Sequence, residues 1–91
     1  MNLPQLNAAR EYGLNLSTLA TLLYLDQPKS ATIGSIAQAI SLSSAAMTGA
    51  ADRLVALGFV DRRYGADRRT VWVDLNERGV SALADIRKEA A

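Results

Sequence analysis

Residues 42–75 read LSSAAMTGAADRLVALGFVDRRYGADRRTVWVDL, and the change of period inside that run decides the fold. Its first half repeats every three to four residues. Met47, Ala51, Leu54 and Gly58 fall on one side of a helix, with Ser44, Thr48 and Asp52 opposite. Ser43 is placed to cap this helix, because its hydroxyl can accept from a backbone N–H that has no partner within the helix. Gly58 stands where a helix end favours a left-handed residue. The second half repeats every two. Phe59–Arg63 and Thr70–Leu75 read as strands, with Val71, Val73 and Leu75 alternating onto one face. Between them, Tyr64-Gly65-Ala66-Asp67-Arg68-Arg69 forms a turn rich in arginine.

The flanks supply the rest of a small helical unit. Thr32 is a candidate cap for a helix over Ile33–Ile40, whose Ile33, Ile36, Ala37 and Ile40 make an apolar stripe. Ser41-Leu42 joins it tightly to the helix over 43–57. Two helices joined in this way form a helix-turn-helix, whose second member fits the DNA major groove. Leu16–Asp26 reads as a further helix, apolar on more than one side as a buried scaffold helix is. Gln27-Pro28 ends it, and Lys29-Ser30-Ala31 is a candidate third strand. Leu3-Pro4 opens a short first helix that runs to Tyr12, with Leu6 and Ala9 inward, and stops at Gly13. Beyond the hairpin, Asn76 caps a last helix with Glu77 in its positive first turn. Val80, Leu83, Ala84 and Arg87 make its expected inward face. The fold class is therefore mainly α with a small β-hairpin. It is a winged helix-turn-helix, with a three-helical core, a two- or three-stranded wing and flanking terminal helices, in one domain over 1–91.

Leu42-Ser43, Asp52-Arg53-Leu54, Leu57-Gly58-Phe59-Val60, Arg63, Asp67-Arg68-Arg69, Val73-Asp74-Leu75-Asn76 and Gly79 are similar, at these spacings, to the signature of the MarR family of winged-helix transcriptional regulators. The resemblance runs from about Leu14 to Ala84. Its specificity lies in the distance between the Asp-Arg-Leu helix end and the Asp-Arg-Arg turn. It implies a recognition helix over 43–57 in the major groove of double-stranded DNA and an arginine wing over 62–69 in the minor groove. On the same resemblance Asp67 organises the wing tip and Arg68 or Arg69 is the inserted side chain, while Arg62 and Arg63 reach phosphates. Arg53 either contacts DNA or ties the helix to the wing. The family also implies a homodimer through the terminal helices and regulation of transcription, more often as a repressor. A small-molecule effector is not expected for this chain.

The recognition helix offers Ser43, Ser44, Ala45, Thr48 and Gly49 to DNA. Hydroxyls bond several base edges and discriminate poorly, while Ala45 and the Thr48 methyl suit a thymine methyl. Small side chains let the helix sit deep. Asp52 would repel phosphate unless a wing arginine pairs with it. Trp72 alternates away from Val71 and Val73, so its ring is expected against the stem of Arg62 or Arg63. Thr32, Ser35 and Gln38 either touch phosphate or are ordinary surface residues.

Composition narrows the function classes. In 91 residues the core is small, and with 49% hydrophobic but only 5% aromatic residues, alanine and leucine must fill most of it. The sequence has no cysteine and no histidine, which excludes disulfides and thiolate metal sites and removes the commonest general base. No serine has an activating partner, so an enzyme, a metal and a cofactor are not expected. No apolar run approaches the ~20 residues of a membrane helix, and Met1-Asn2-Leu3-Pro4 lacks the start of a signal peptide. A cytoplasmic protein is expected. Net charge is +1, yet Arg53 to Arg69 carries a local +3 and the remainder −2, a polarity that orients a protein on a polyanion. Two alternatives stay open at this level: a winged helix used as a protein-interaction module, and an architectural DNA binder with little sequence preference.

Overall fold

The computed structural model describes residues 1–89. Within them the order is α1 (Leu3–Glu11), α2 (Leu16–Leu25), β1 (Ser30–Thr32), α3 (Ile33–Ala39), α4 (Ser44–Leu57), β2 (Val60–Tyr64), β3 (Val71–Leu75) and α5 (Glu77–Lys88). Every helix starts on a polar side chain that accepts the N–H three residues on: Asn2, Asn15, Thr32, Ser43 and Asn76. Each cap satisfies one of the donors that a helix start leaves free. Thr32, Ser43 and Asn76 are the caps the sequence points to. Gly58 closes α4 at φ 83°, the left-handed conformation that its place in the sequence predicts.

The three strands form one antiparallel sheet in the order β1-β3-β2. Val73 lies opposite both Ala31 and Arg62, and Val60 lies opposite Leu75. Residues directly opposed in a sheet share a face. Val60, Arg62 and Tyr64 therefore face the same way as Val71, Val73 and Leu75, while Arg63, Trp72 and Asp74 occupy the other face. Ala31, Val60 and Val73 are buried against the helices. Helix α4 buries Met47, Ala50, Ala51 and Leu54 into a core that also holds Leu22, Leu25, Ile36, Leu83 and Ile86. Strand and helix ends differ from the sequence reading by a residue or so, which is ordinary fraying of boundaries.

Helix α5 departs from expectation in its rotation. Gly79, Ala82, Leu83 and Ile86 are buried, while Val80 and Ala84 are exposed. The cause is close approach. A Cβ on Gly79 would collide with the carbonyl oxygen of Phe59 and with Leu75 Cδ1, so the helix packs through its glycine and not through Val80. Its far end is tied to the other helices. The Tyr12 hydroxyl donates to Asp85 at 2.6 Å, Arg87 donates to Asp26 at 2.9 Å, and Gln5 Nε2 donates to the carbonyl of Arg87 at 3.3 Å. The Arg87 hydrogen bond holds the Asp26 carboxyl below its ordinary value. The Asp85 carboxylate, accepting from Tyr12, raises that phenol.

Candidate nucleic-acid interface

Helix α4 presents Ser43, Ser44, Ala45, Thr48 and Gly49 to solvent while burying its Met47–Leu54 side. That division follows from the sequence period: every large apolar residue of the first three turns falls on the core side. The exposed side chains of its first two turns are short, and the long one of the third, Arg53, is held by the Gly13 carbonyl.

The wing tip is organised by Asp67. Its Oδ1 accepts the backbone N–H groups of Arg69 at 3.1 Å and Thr70 at 3.0 Å, and Oδ2 accepts the Thr70 hydroxyl at 3.0 Å. The Thr70 bonds, with that of Arg69, hold this carboxyl below the usual carboxylate range. Asp67 thus secures the backbone on which Arg69 stands. Arg68 occupies the left-handed region at φ 61°, which costs a residue with a Cβ roughly 1–2 kcal/mol.

The arginines of the hairpin divide into two groups. Arg62 pairs with Asp52 of α4, so the carboxylate on the exposed side of the helix is neutralised from the wing. Arg63 sits on the opposite face of the sheet, donates to Asp74 at 2.8 Å and Ser30 at 3.1 Å, and lies 4.9 Å over the Trp72 ring. Ring and guanidinium stack as the alternation of Trp72 suggests. Arg53 goes elsewhere: its Nε and Nη2 donate to the Gly13 carbonyl at 3.3 and 3.1 Å, tying α4 to the α1–α2 turn and not to the wing. Arg68 and Arg69 are exposed and have no carboxylate partner among the described residues.

Two features of this surface are absent from the sequence reading. Tyr64 is 64% exposed and borders a hollow of about 420 Å³ with Arg68; strand alternation, which puts it on the face of Val60 and Arg62, gives no signal of that exposure. A cleft of about 420 Å³ also separates the wing from the helices, with Thr32 and Gly34 of the α3 start, Thr48 of α4, and Arg69 and Thr70 of the wing along its walls. Among the described residues no group of three or more acidic side chains could hold a metal ion, and no helix is long and apolar enough to cross a membrane.

The sequence model of the MarR family matches residues 13–71, a span that contains α2 to α4 and the whole arginine turn. The chain belongs to the MarR family. Proteins of the MarR family are transcriptional regulators and not enzymes. Among curated relatives, the "Uncharacterized HTH-type transcriptional regulator YwhA" of Bacillus subtilis (strain 168) is 44% identical over 54 residues, which are 58% of this chain and 39% of YwhA. The fold superposes on that of the YusO protein from Bacillus subtilis with a TM-score of 0.84 at 22% identity, over 92% of this chain and 60% of YusO. A structure of reduced AbfR bound to DNA gives 0.85 at 23%, over 93% of this chain and 62% of AbfR. A mutant MarR from E. coli complexed with operator DNA gives 0.78 at 21%, over 93% and 64%. These likenesses establish the winged-helix fold. The chain spans about two-fifths of the curated relative and about three-fifths of the superposed chains.

Proposed function

We propose that this MarR-family chain binds double-stranded DNA sequence-specifically and regulates transcription in the cytoplasm, as a repressor. Helix α4 enters the major groove through Ser43, Ser44, Ala45, Thr48 and Gly49, and the wing enters the adjacent minor groove through its arginine tip. The observation that carries the proposal is a single one. Thr48 of the small-residue edge and the unpaired Arg69 border the same cleft, so helix and wing offer DNA one continuous surface. Asp52 fits the proposal because Arg62 cancels its charge. Arg62, paired with Asp52, ties the wing to α4, Arg63 holds to Asp74 and Ser30 within the sheet, and Arg53 braces the helix against the α1–α2 turn. Neighbours of the same fold that are bound to DNA add to the support.

Dimerisation belongs to the same proposal. Leu3 and Leu16 are 73% and 76% exposed and, with Leu6, Leu14 and Leu19, line an apolar groove between α1 and α2. Two domains on paired half-sites about one helical turn apart multiply the affinity that one small domain provides. The test is selection of bound sequences from a random duplex library. A recurring motif with two-fold symmetry is expected. Retention without any motif would leave an architectural binder, and a failure to retain DNA would leave the winged helix as a protein-interaction module.

A further inference from the structure

We propose that the α1–α2 turn is a lever on the recognition helix: Arg53, through the carbonyl of Gly13, couples self-association at the α1–α2 groove to DNA binding at α4. The inference rests on the DNA-binding and dimerisation readings above and adds the link between them. Ala45, Gly49, Arg53 and Leu57 follow one another at four-residue spacing and so form one row along α4. The first two belong to the exposed small-residue edge. The last two both rest on the turn. Arg53 Nε and Nη2 donate to the Gly13 carbonyl at 3.3 and 3.1 Å, and a Cβ on Gly13 would stand 3.0 Å from Leu57 Cδ2. One end of the row is offered to DNA, and the other is seated on a segment outside the helix-turn-helix.

The turn has little slack with which to absorb a movement. Gly13, at φ 84°, donates its N–H to the Arg10 carbonyl at 2.9 Å, and Leu14 donates to that of Ala9 at 3.1 Å, so the near side of the turn is fixed to α1. Two residues on, Asn15 opens α2 in a reciprocal cap with Thr18, which fixes the far side to α2. The same flanks line the apolar groove, with Ala9 and Arg10 before the turn and Leu14, Asn15 and Leu16 after it. Gly13 is therefore the corner of the groove. A second copy seated there fixes the angle between α1 and α2, and with it the direction of the carbonyl that holds Arg53. A helix held in its bound orientation before DNA arrives binds more tightly, because the ordering is already done. The coupling is reciprocal, so DNA strengthens self-association by the same factor.

The experiment measures the self-association constant of the full chain by sedimentation, without DNA and with a saturating duplex of about 12 base pairs, too short for two half-sites about one helical turn apart. The variants are Arg53→Ala, Arg53→Lys, Gly13→Ala and the double variant Arg53→Ala, Gly13→Ala, each checked for folding by circular dichroism. The duplex should tighten wild-type self-association by about 5-fold or more. Arg53→Ala should bring that ratio close to one and leave the salt slope of duplex binding unchanged, because its guanidinium is not spent on a phosphate. Arg53→Lys, with an ammonium for the same carbonyl, should restore part of the ratio. Gly13→Ala should also lower it, since a Cβ there crowds Leu57 at a positive φ. The double variant should lose no more than Arg53→Ala alone, as both act through one contact. A side chain that only stabilised the fold would shift the melting temperature and leave the ratio alone. A ratio that survives in folded Arg53→Ala, a wild-type ratio no greater than one, or a wild type that stays monomeric at every concentration overturns the lever. A salt slope smaller by about one in Arg53→Ala overturns it in favour of a direct phosphate contact. A wild type that binds no duplex refutes the DNA-binding proposal itself, which separates the two failures.

Discussion

Raising the salt concentration tests how many arginines the interface spends on DNA. Each guanidinium that neutralises a phosphate releases condensed counterions, and log K falls with log salt at about −0.9 per contact. Composition alone suggests five contacts per domain, from Arg53, Arg62, Arg63, Arg68 and Arg69. The structure reduces that number, because Arg62 is paired with Asp52, Arg63 with Asp74, and Arg53 with the Gly13 carbonyl. Two arginines remain. The expected slope is then about −1.8 per domain, and affinity should fall about 12-fold between about 50 and about 200 mM salt; five contacts would give a slope of about −4.5 and a loss of about 500-fold. Fluorescence anisotropy of a labelled duplex across the series gives the slope, and sedimentation of the complex gives the number of domains by which to divide it. A slope near −4.5 per domain would mean that the ion pairs of the hairpin open on DNA, and the division of the arginines would be refuted.

Five further substitutions test the same structure. Arg68→Gly should raise the melting temperature, by the equivalent of about 1 kcal/mol, while weakening DNA binding; a variant no more stable than the wild type removes the case for a strained tip. Asp52→Asn should cost at most ~1 kcal/mol in urea unfolding, as exposed pairs do, and should increase non-specific DNA affinity by taking a carboxylate off the reading face; weaker binding would mean the pair is needed to aim the wing. Leu54→Ala, at a fully buried position of α4, should cost about 2–5 kcal/mol, and Gly79→Ala should prevent α5 from docking, because the Phe59 carbonyl it meets is backbone; near-normal unfolding curves for either would contradict the packing described. The depressed Asp26 carboxyl contributes stability that is present above its unfolded value, near pH 4, and is lost as pH falls through the lower folded value. Arg87→Ala should therefore flatten the acid limb of a pH–stability profile, and an unaltered limb would show that the Asp26–Arg87 bond adds nothing.

The helix-turn-helix and the hairpin were legible because their periods, 3.6 and 2, are written in large apolar residues, and because Ser43 and Gly58 mark the ends of α4. The pairing of Asp52 with a wing arginine was legible as a need, since a lone carboxylate on that face has no other remedy. Which arginine answers it follows from strand alternation: Arg62 shares the inward face with Val60 and Val73, and Arg63 falls beside Trp72 on the other. Arg53 was not legible, as its partner is a main-chain carbonyl forty residues away in sequence, which has no side-chain signature. The rotation of α5 was missed for a related reason. Hydrophobicity weights Val80 and ignores Gly79, whereas close packing against the Phe59 carbonyl favours the residue with no side chain. The cleft between wing and helices is a property of their relative placement, and no local pattern encodes it.

The account stands most directly on binding by the double variant Arg68→Ala, Arg69→Ala. Measured against the duplex enriched from the random library, with thermal unfolding recorded in parallel, it should unfold like the wild type and lose nearly all salt-sensitive affinity. Wild-type affinity in a folded double variant would contradict the shared reading surface of helix and wing.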